Sequence, residues 1–329
     1  MKKIAVCFTS NGAGIIEKLN RESLKRGIEP VRGYICGNSV PDRENFDRVT
    51  ESVGEWTKAV FEPGNALIFV GAVGIAVRAV SGLAGDKLRD CPVIVVDDNG
   101  QFVIPILSGH AGGANKIALV IAELLNAIPV ITTSTDINDS FSVDSFAVEK
   151  RLSIANREGI KKVSAKAIEG KKITLSVKDF PPKEAVDVIV ADETDAEYSL
   201  LLKPKKYVVG FGMKKDKDPK EAEDFFLETL KSSDLEVCDV YAICTIDLKE
   251  DEEGIKSLRD RYRIPVISFD KDILGKVSGE FTESDFVKKV TGVDNVCERA
   301  AVCGAGSGAE LVLRKTAKNG MTIAIAKRK

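Results

Sequence analysis

The sequence predicts a multi-domain α/β protein, and two observations carry this prediction. The chain has 329 residues, more than one compact domain usually holds, so two or three domains are expected. Its first half repeats one pattern, in which an apolar run is followed by a glycine-containing turn and a helical segment. Because strands that alternate with helices form largely parallel sheets covered on both faces, we expect a Rossmann-like sheet in the N-terminal half.

The elements of this half follow from its apolar runs and from the helical periodicity behind the turns. Strands are predicted at 4–8, 66–70, 93–96, 102–107 and 128–131, and helices up to residue 24, over 75–80 and over 116–126. The turn Asp97-Asp98-Asn99-Gly100 is typical of a hairpin, and it joins the third of these strands to the fourth.

Four other turns follow predicted strands, at 9–14, 71–74, 108–115 and 132–136. In open α/β sheets, ligands bind beyond the carboxyl ends of the strands. If the strands before these turns are all parallel, the four turns lie at one edge of the sheet. Under that condition the sequence predicts a single ligand site at this edge.

The remaining chain is predicted to hold a small middle domain and a compact α/β C-terminal domain. From residue 141 lysine and glutamate become frequent and the periodicity weakens, and residues 203–206 have the composition of a linker. Strands and helices then resume at 207–209, after Pro219, and at 240–246, 252–262, 265–269, 296–302 and 321–326. We therefore place the domains at 1–140, 141–205 and 206–329.

Composition argues against several functional classes. The net charge is −2 and aromatic residues make up 6% of the chain, so neither nucleic acid nor an anionic membrane is an expected partner. No segment approaches the roughly 20 apolar residues that span a bilayer. The apolar stretch at the N-terminus is too short for a secretory signal peptide. We expect a cytoplasmic protein.

The cysteines and the single histidine bear on metal and redox chemistry. The seven cysteines form no C-x-x-C pair and their number is odd, which favours reduced and mostly buried thiols. With one histidine in the chain and no such pair, a zinc site built from protein ligands is not expected.

The histidine lies in the segment Ser108-Gly109-His110-Ala111-Gly112-Gly113-Ala114-Asn115, between a predicted strand and a predicted helix. Glycines at such a turn let the backbone approach a ligand and present N–H groups at a helix start. Histidine is the side chain whose ordinary pKa suits proton transfer near neutrality. One interpretation is an acid/base group beside an anion-binding loop; the other is a capped helix with an incidental histidine.

Further candidates are less specific. Arg78 follows the turn Gly71-x-x-Gly74 and either clamps a carboxylate or lies on a solvated helix face. Ser108 and His110 form a possible nucleophile pair, although no G-x-S-x-G elbow is present. Hydroxyl and carboxylate groups end the strand near 131: Thr132, Thr133 and Asp136. The glycine fingerprints at 71–74 and 210–212 are incomplete, and no P-loop occurs, which argues against a nucleotide enzyme.

Taken together, these segments resemble the CbiG family of cobalamin biosynthesis over essentially the whole chain. The most specific piece is Ser-Gly-His-x-Gly-Gly-Ala-Asn at 108–115. The resemblance also rests on the runs at 69–78, 95–97, 129–136, 143–144, 209–212, 246–252, 292–298, 313–315 and 322–324.

The resemblance implies cobalt-precorrin-5A hydrolase activity, in which a δ-lactone is opened and the C20 unit leaves as acetaldehyde to give cobalt-precorrin-5B. It implies that cobalt is carried by the substrate, so no resident cofactor or metal is expected. The expected partners are this cobalt-tetrapyrrole and other enzymes of the corrin pathway, and a homodimer is left open.

We assign roles within this hypothesis by chemistry. His110 is the general base and then the proton donor, with Ser108 beside it. The backbone N–H groups of 109–113 stabilise the oxyanion. Substrate carboxylates are expected to meet the following residues: Gly71, Gly74, Arg78, Gly109, Gly112, Gly113, Asn115, Thr132, Thr133 and Asp136. Two rival functions remain, a non-catalytic tetrapyrrole carrier or scaffold and a nucleotide-dependent α/β enzyme.

Overall fold

The structure is a computed structural model that describes residues 1–85, 90–110, 112–133, 140–282 and 292–329. Of the candidate site residues, Asp136 lies outside this part of the chain. The chain divides into two compact units. The first comprises residues 1–148 with 157–174, and the second comprises 149–156 with 175–329.

One sheet organises the first unit, and within the described residues it has seven strands in the order β3-β2-β1-β4-β5-β6-β7. The strands are β1 (Lys2–Cys7), β2 (Arg32–Cys36), β3 (Phe46–Val49), β4 (Asn65–Val70), β5 (Val93–Val96), β6 (Phe102–Leu107) and β7 (Ile128–Pro129). The five predicted strands are confirmed. Both β2 and β3 escape prediction because their short runs are interrupted by charged residues such as Arg32 and Asp47.

Helices cover both faces of this sheet, as predicted. The helices of this part of the chain are α1 (Ser10–Lys25), α2 (Val53–Val60), α3 (Val73–Val80), α4 (Ala114–Leu125), α5 (Val143–Glu149) and α6 (Arg157–Ile168). Side chains of α1 and α4 pack with Ile68 and Val70 of β4. Side chains of α2 and α3 pack with Leu67 and Phe69 of the same strand. The alternation of side chains along β4 therefore fills two cores.

Strand direction corrects the prediction that four turns share one edge. Strands β1 to β5 are parallel to one another. Strand β6 is antiparallel to β5, and β7 is parallel to β6. The physical reason is the predicted hairpin at Asp97–Gly100, which is confirmed and which reverses the chain. The turns at 9–14 and 71–74 therefore lie at the carboxyl edge of β1 and β4, whereas 108–115 and 132–133 lie at the opposite edge.

The strand order changes direction between β1 and β4, because the chain proceeds from β1 to β2 and β3 on one side and to β4 and β5 on the other. Such a reversal leaves a crevice outside the carboxyl ends of the two central strands. The turns that begin α1 and α3 form its walls.

The second unit contains a four-stranded sheet in the order β8-β11-β10-β9, made of β8 (Leu152–Ile154), β9 (Leu175–Val177), β10 (Val186–Val190) and β11 (Tyr198–Pro204). The prediction of a linker at 203–206 is wrong for its first half, since Lys203 and Pro204 pair with β8. Composition misled here because Lys203 is exposed and contributes only its backbone to the sheet.

A five-stranded sheet completes this unit, in the order β14-β13-β12-β16-β15. Its strands are β12 (Tyr207–Met213), β13 (Val240–Ile246), β14 (Val266–Phe269), β15 (Glu310–Lys318) and β16 (Met321–Lys327); the helices here are α7 (Pro219–Ser232), α8 (Glu253–Tyr262), α9 (Lys271–Lys276) and α10 (Val296–Ala305). Asp218 caps α7 through the Lys220 N–H at 2.9 Å, as predicted from Asp-Pro.

Helix packing explains the glycine at position 210, which in the sequence resembled part of a nucleotide-binding fingerprint. A Cβ at this position would lie 1.8 Å from the backbone oxygen of Cys297 in α10. The helix backbone therefore rests directly on β12, which only glycine permits. Among the described residues, no helix has both the length and the apolar character needed to cross a bilayer. The division into three domains stays a prediction.

Candidate functional site

The predicted site residues of the first unit fall into two groups at opposite edges of its sheet. The His110 loop, residues 108–115, follows the end of β6. Gly71, Gly74 and Arg78 follow the end of β4, and we call this region the carboxyl-edge site. Because β4 and β6 each have six residues, the sheet separates the two groups by about 20 Å. The structure therefore does not bring His110 and Arg78 together.

Backbone hydrogen bonds within the His110 loop fold it against the start of α4. The N–H of Gly113 donates to the His110 carbonyl at 2.9 Å, and the Ala114 N–H donates to the Ser108 carbonyl at 3.1 Å. The Asn115 N–H donates to the Gly109 carbonyl at 3.1 Å. The Gly113 N–H is thus already engaged, which removes it from the predicted set of oxyanion donors.

Two of the loop's glycines are required by close approach. A Cβ at Gly112 would lie 2.2 Å from the Ser108 Cβ and 2.5 Å from the Ser108 carbonyl oxygen. A Cβ at Gly109 would lie 2.8 Å from Asn115 Oδ1. Gly113 is left-handed, with φ of 86°, as the residue that caps α4. The glycine pattern that marked this segment in the sequence therefore has a structural cause, whatever the loop binds.

Polar side chains fix the loop to its surroundings. The Ser108 hydroxyl donates to the Asp90 carbonyl at 3.0 Å, so its proton is already engaged. Asn115 is 6% exposed, and its amide donates to Thr133 Oγ1 at 3.1 Å. The structure thus brings Asn115 and Thr133 together as predicted neighbours of the loop, and Thr132 adjoins them in sequence.

His110 itself is half-buried. The loop that carries it borders a cavity of about 530 Å³. This cavity lies between α1 and α4 and is lined mainly by aliphatic side chains, with Gly112 and Gly113 at one end. Lys3 and Lys116 are the cationic residues of its lining. An apolar flank with ammonium groups at its border suits a hydrophobic ligand that carries carboxylates.

At the carboxyl-edge site, the turn after β1 is held by the hairpin after β5. Thr9 caps α1 by accepting the Gly12 N–H at 2.9 Å, and its hydroxyl donates to the Asp98 carboxylate. The amide of Asn11 donates to the Asp98 carbonyl at 3.4 Å. Asp98 therefore serves this edge, whereas Asp97 closes the hairpin by accepting the N–H groups of Gln101 and Phe102 at 2.7 and 2.6 Å.

Arg78 lies over the first turn of α3. A Cβ at Gly74 would lie 3.5 Å from Arg78 Nη2, and the side chain is exposed. Within the residues that the structure describes, Arg78 has neither a hydrogen-bonded acceptor nor an acidic partner. It lines a cavity of about 690 Å³ together with Cys36, Asn38, Thr50 and Ser52. A free guanidinium beside a helix start is suited to a carboxylate.

Sequence reasoning missed half of this cavity. Asn38, Thr50 and Ser52 follow β2 and β3, and neither strand was visible in the sequence pattern. The one local indication is the capping box at Ser52 and Glu55, in which Ser52 accepts the Glu55 N–H at 3.2 Å. That motif predicts a helix at 53 and so a turn at the sheet edge before it.

Burial makes three cysteines, in β1, β13 and α10, poor nucleophiles. Desolvation raises the pKa of Cys7 to about 11 and that of Cys297 to about 11. It raises the pKa of Cys244 to about 12. These thiols therefore stay protonated at neutral pH. Across the described ranges, no three His, Cys, Asp or Glu side chains converge as the ligands of a metal ion do.

Known proteins are similar to this one over most of the chain. The family description "Cobalamin synthesis G N-terminal" matches residues 55–136, and "Cobalamin synthesis G C-terminus" matches residues 207–326. A Salmonella typhimurium protein named cobalt-precorrin-5A hydrolase is 31% identical over 272 residues, covering 74% of this chain and 77% of the relative.

The chain belongs to the CbiG family.

Two further similarities extend over nearly the full length. A Priestia megaterium protein of the same name is 28% identical over 353 residues, covering 98% of this chain and 93% of the relative. A solved structure of a cobalamin biosynthesis protein G homologue from Sulfolobus solfataricus covers 100% of this chain and 97% of its own, with 22% identity and a TM-score of 0.41. The N-terminal CbiG match includes the His110 loop and, from the carboxyl-edge site, Gly71, Gly74 and Arg78.

Proposed function

We propose that this CbiG protein is a cobalt-precorrin-5A hydrolase. The observation that carries the proposal is the similarity to two proteins of that name, one of which spans 98% of the chain and 93% of its own length. Because the match covers nearly all of both chains, this protein and that relative have the same order of segments along the sequence. The geometry of the His110 loop supplies a place for the chemistry.

The first chemical step opens a δ-lactone. A water oxygen bonds to the lactone carbonyl carbon while a base removes a water proton, and the carbonyl electrons move onto oxygen. When that tetrahedral oxyanion collapses, the bond between the acyl carbon and the ring oxygen breaks, and the departing alkoxide takes a proton. The products are a carboxylate and a hydroxyl group.

We assign the proton transfers to His110, which is half-buried in the glycine loop. An imidazole that accepts the water proton is then the acid that protonates the alkoxide. Ser108 is placed as a support for the loop, because its hydroxyl donates to the Asp90 carbonyl. Since the Gly113 N–H donates to His110 O, the oxyanion donors are drawn from the N–H groups of residues 109–112.

The second step releases the C20 unit as acetaldehyde. The new hydroxyl loses its proton, its oxygen electrons form the aldehyde carbonyl, and the carbon–carbon bond to the macrocycle breaks. The electron pair of that bond passes to the macrocycle. His110, returned to its neutral form after the first step, is the base for this proton as well.

The proposal also assigns residues to the substrate carboxylates and accounts for the cobalt ion. Arg78 holds a carboxylate at the carboxyl-edge site, away from the reacting lactone, and the ammonium groups of Lys3 and Lys116 attract others near the loop. The cobalt ion enters as part of the substrate, and the protein is proposed to work without a resident cofactor.

The direct test is acetaldehyde release from cobalt-precorrin-5A, followed by the oxidation of NADH with alcohol dehydrogenase. The expected result is stoichiometric acetaldehyde with wild-type protein and none with heat-denatured protein. Tight tetrapyrrole binding without acetaldehyde would replace the hydrolase with a carrier. Thermal stabilisation by NAD(P) or ATP, without either, would favour the nucleotide-dependent enzyme.

A further inference from the structure

A cluster of cations in the second unit takes no part in the chemistry above. Arg151 precedes β8, Lys205 follows β11, and Arg328 follows β16. All three gather at the start of β13, where Tyr241 is the second residue of the strand. We call these three cations and Tyr241 the basic cluster.

Tyr241 is the centre of the basic cluster. The guanidinium carbon of Arg328 lies 3.7 Å from the centroid of its ring, and that of Arg151 lies 4.7 Å from the same centroid. The Lys205 ammonium is close enough to Arg151 for their charges to interact. Stacking on an aromatic ring orients a guanidinium but leaves its charge uncompensated.

Among the described residues, Asp239 is the acidic residue whose charge acts on this cluster, through Lys205. None of the three cations forms an ion pair in this part of the chain, and all three are half-buried. Arg328 Nε is fully buried and has no hydrogen-bond acceptor. Burial lowers the pKa of Lys205 below its usual range; the charges of Cys238 and Asp239 oppose this shift, and that of Arg151 adds to it. Partly buried like charges of this kind are costly unless an anion accompanies them.

Acidic residues close in sequence to the cluster also make contacts of their own. Asp239 Oδ2 accepts the Glu236 N–H at 2.9 Å, and Glu236 accepts the Cys238 thiol proton at 3.6 Å. Asp192 pairs with Lys206, with 2.5 Å between the carboxylate oxygen and Nζ. With three cations and one acidic neighbour, the basic cluster keeps an excess of positive charge that suits an anion supplied from outside the chain.

We propose that the basic cluster is a binding site for carboxylate groups of a tetrapyrrole. Each guanidinium on the ring carries a fork of N–H donors that matches the two oxygens of a carboxylate, and Lys205 adds a third charge. The identity of the ligand as a tetrapyrrole rests on the proposed function. The anion-binding character rests on the cluster alone.

Binding of uroporphyrin, an octacarboxylate tetrapyrrole, to the full chain tests this proposal by its fluorescence. Arg328→Gln is expected to weaken binding about 10-fold, since a hydrogen bond to a charged group is lost, and Arg151→Gln/Arg328→Gln to weaken it further. Coproporphyrin, with fewer carboxylates, is expected to bind the wild type more weakly. Binding should also fall as ionic strength rises.

The matched control is Arg314→Gln, which removes an exposed guanidinium of the same unit whose contact is with the Glu280 carbonyl at 3.2 Å. This control is expected to bind uroporphyrin like the wild type. Equal affinity of wild type and the double variant would overturn the proposal, and so would an equal loss in the control.

Cys238 gives a second readout that localises the ligand. It is exposed and lies close enough to Lys205 for its thiolate form to interact with the ammonium group. Uroporphyrin is expected to slow alkylation of Cys238 by N-ethylmaleimide in wild type, measured by peptide mass spectrometry, and to have no effect in Arg151→Gln/Arg328→Gln. Unchanged alkylation in wild type at saturating uroporphyrin would contradict the location.

Two further measurements distinguish anion binding by the cluster from a structural role and from the proposed hydrolase activity. Lys205→Met removes one of three clustered cations and is expected to leave the melting temperature unchanged or higher; a lower melting temperature would show that the cluster is structural. Acetaldehyde release by wild type is scored independently. Its absence, with uroporphyrin binding still dependent on Arg328, would refute the proposed hydrolase and leave the anion site in place.

Discussion

The two edges of the N-terminal sheet present different chemistry. At the carboxyl edge of β1 and β4, a cavity of about 690 Å³ carries an exposed arginine without an acidic partner among the described residues. At the other edge, a glycine loop held by its own hydrogen bonds carries the single histidine beside an apolar cavity of about 530 Å³. The first edge is suited to hold an anion, and the second to move a proton.

The comparison teaches that one hairpin decides which groups meet. The general rule for α/β sheets points to the carboxyl edge at the β1/β4 crevice. Because β6 runs antiparallel to β5, the loop after it lies at the opposite edge. A site that combines His110 with Arg78 around one lactone is therefore excluded by strand direction, and the two residues must act on different parts of a ligand or on different ligands.

The largest expected effect comes from His110→Ala. Loss of the general base should lower kcat for acetaldehyde release by about 10²–10⁴-fold. The measurement is the coupled NADH assay at saturating substrate, with an unchanged melting temperature as proof of folding. Glu123→Gln, at the far end of the helix that follows and with a side chain 70% exposed, is the control and should retain kcat. A loss below 10-fold would remove His110 from the role of base.

Gly112→Ala should distort the His110 loop and leave the carboxyl edge of the sheet unchanged. The added Cβ would lie 2.2 Å from the Ser108 Cβ, so the loop must move, at a cost of about 1–3 kcal/mol in the free energy of unfolding. We expect a lower urea midpoint and a kcat reduced by at least 10-fold. Gly14→Ala, which would meet no atom within 4 Å, is the control and should not destabilise. Equal behaviour of the two variants would mean that the loop geometry is wrong.

Arg78→Gln tests the other edge and should act on binding. Losing a charge-assisted contact to a carboxylate should raise KM about 10-fold and leave kcat within a factor of about 3. Steady-state kinetics separate the two effects. Arg21→Gln, with a side chain 61% exposed on α1, should change neither constant. A fall in kcat without a change in KM would move Arg78 to the reacting centre.

Ser108→Ala carries the smallest expected effect. The hydroxyl donates to the Asp90 carbonyl, so its loss should cost about 0.5–1.5 kcal/mol of stability and reduce kcat by no more than about 3-fold. Thermal melts and the coupled assay measure both. If kcat fell as far as in His110→Ala, Ser108 would be a nucleophile paired with the histidine.

Much of the fold was predictable because local chemistry decides it. Apolar runs identified β1, β4, β5 and β6, Asp218-Pro219 identified the start of α7, and Asp97–Gly100 identified the hairpin. Charged residues within β2, β3 and β15 hid those strands, since their pairing uses the backbone and leaves alternate side chains in solvent.

The site was less predictable because it depends on which strands become neighbours. The glycine loop was evident from sequence, but its edge of the sheet followed only from the direction of β6. Asn38, Thr50 and Ser52 reach the carboxyl-edge cavity through strands that the sequence pattern concealed. Arg151, Lys205 and Arg328 are far apart in sequence and meet only around Tyr241.

The most direct test of the account is a single-turnover comparison of His110→Ala with Arg78→Gln on cobalt-precorrin-5A, with enzyme in excess and at saturation. The account predicts that acetaldehyde appears at nearly the wild-type rate with Arg78→Gln and is almost absent with folded His110→Ala. The opposite pattern, a silent Arg78→Gln and an active His110→Ala, would place the chemistry at the carboxyl edge and contradict the account.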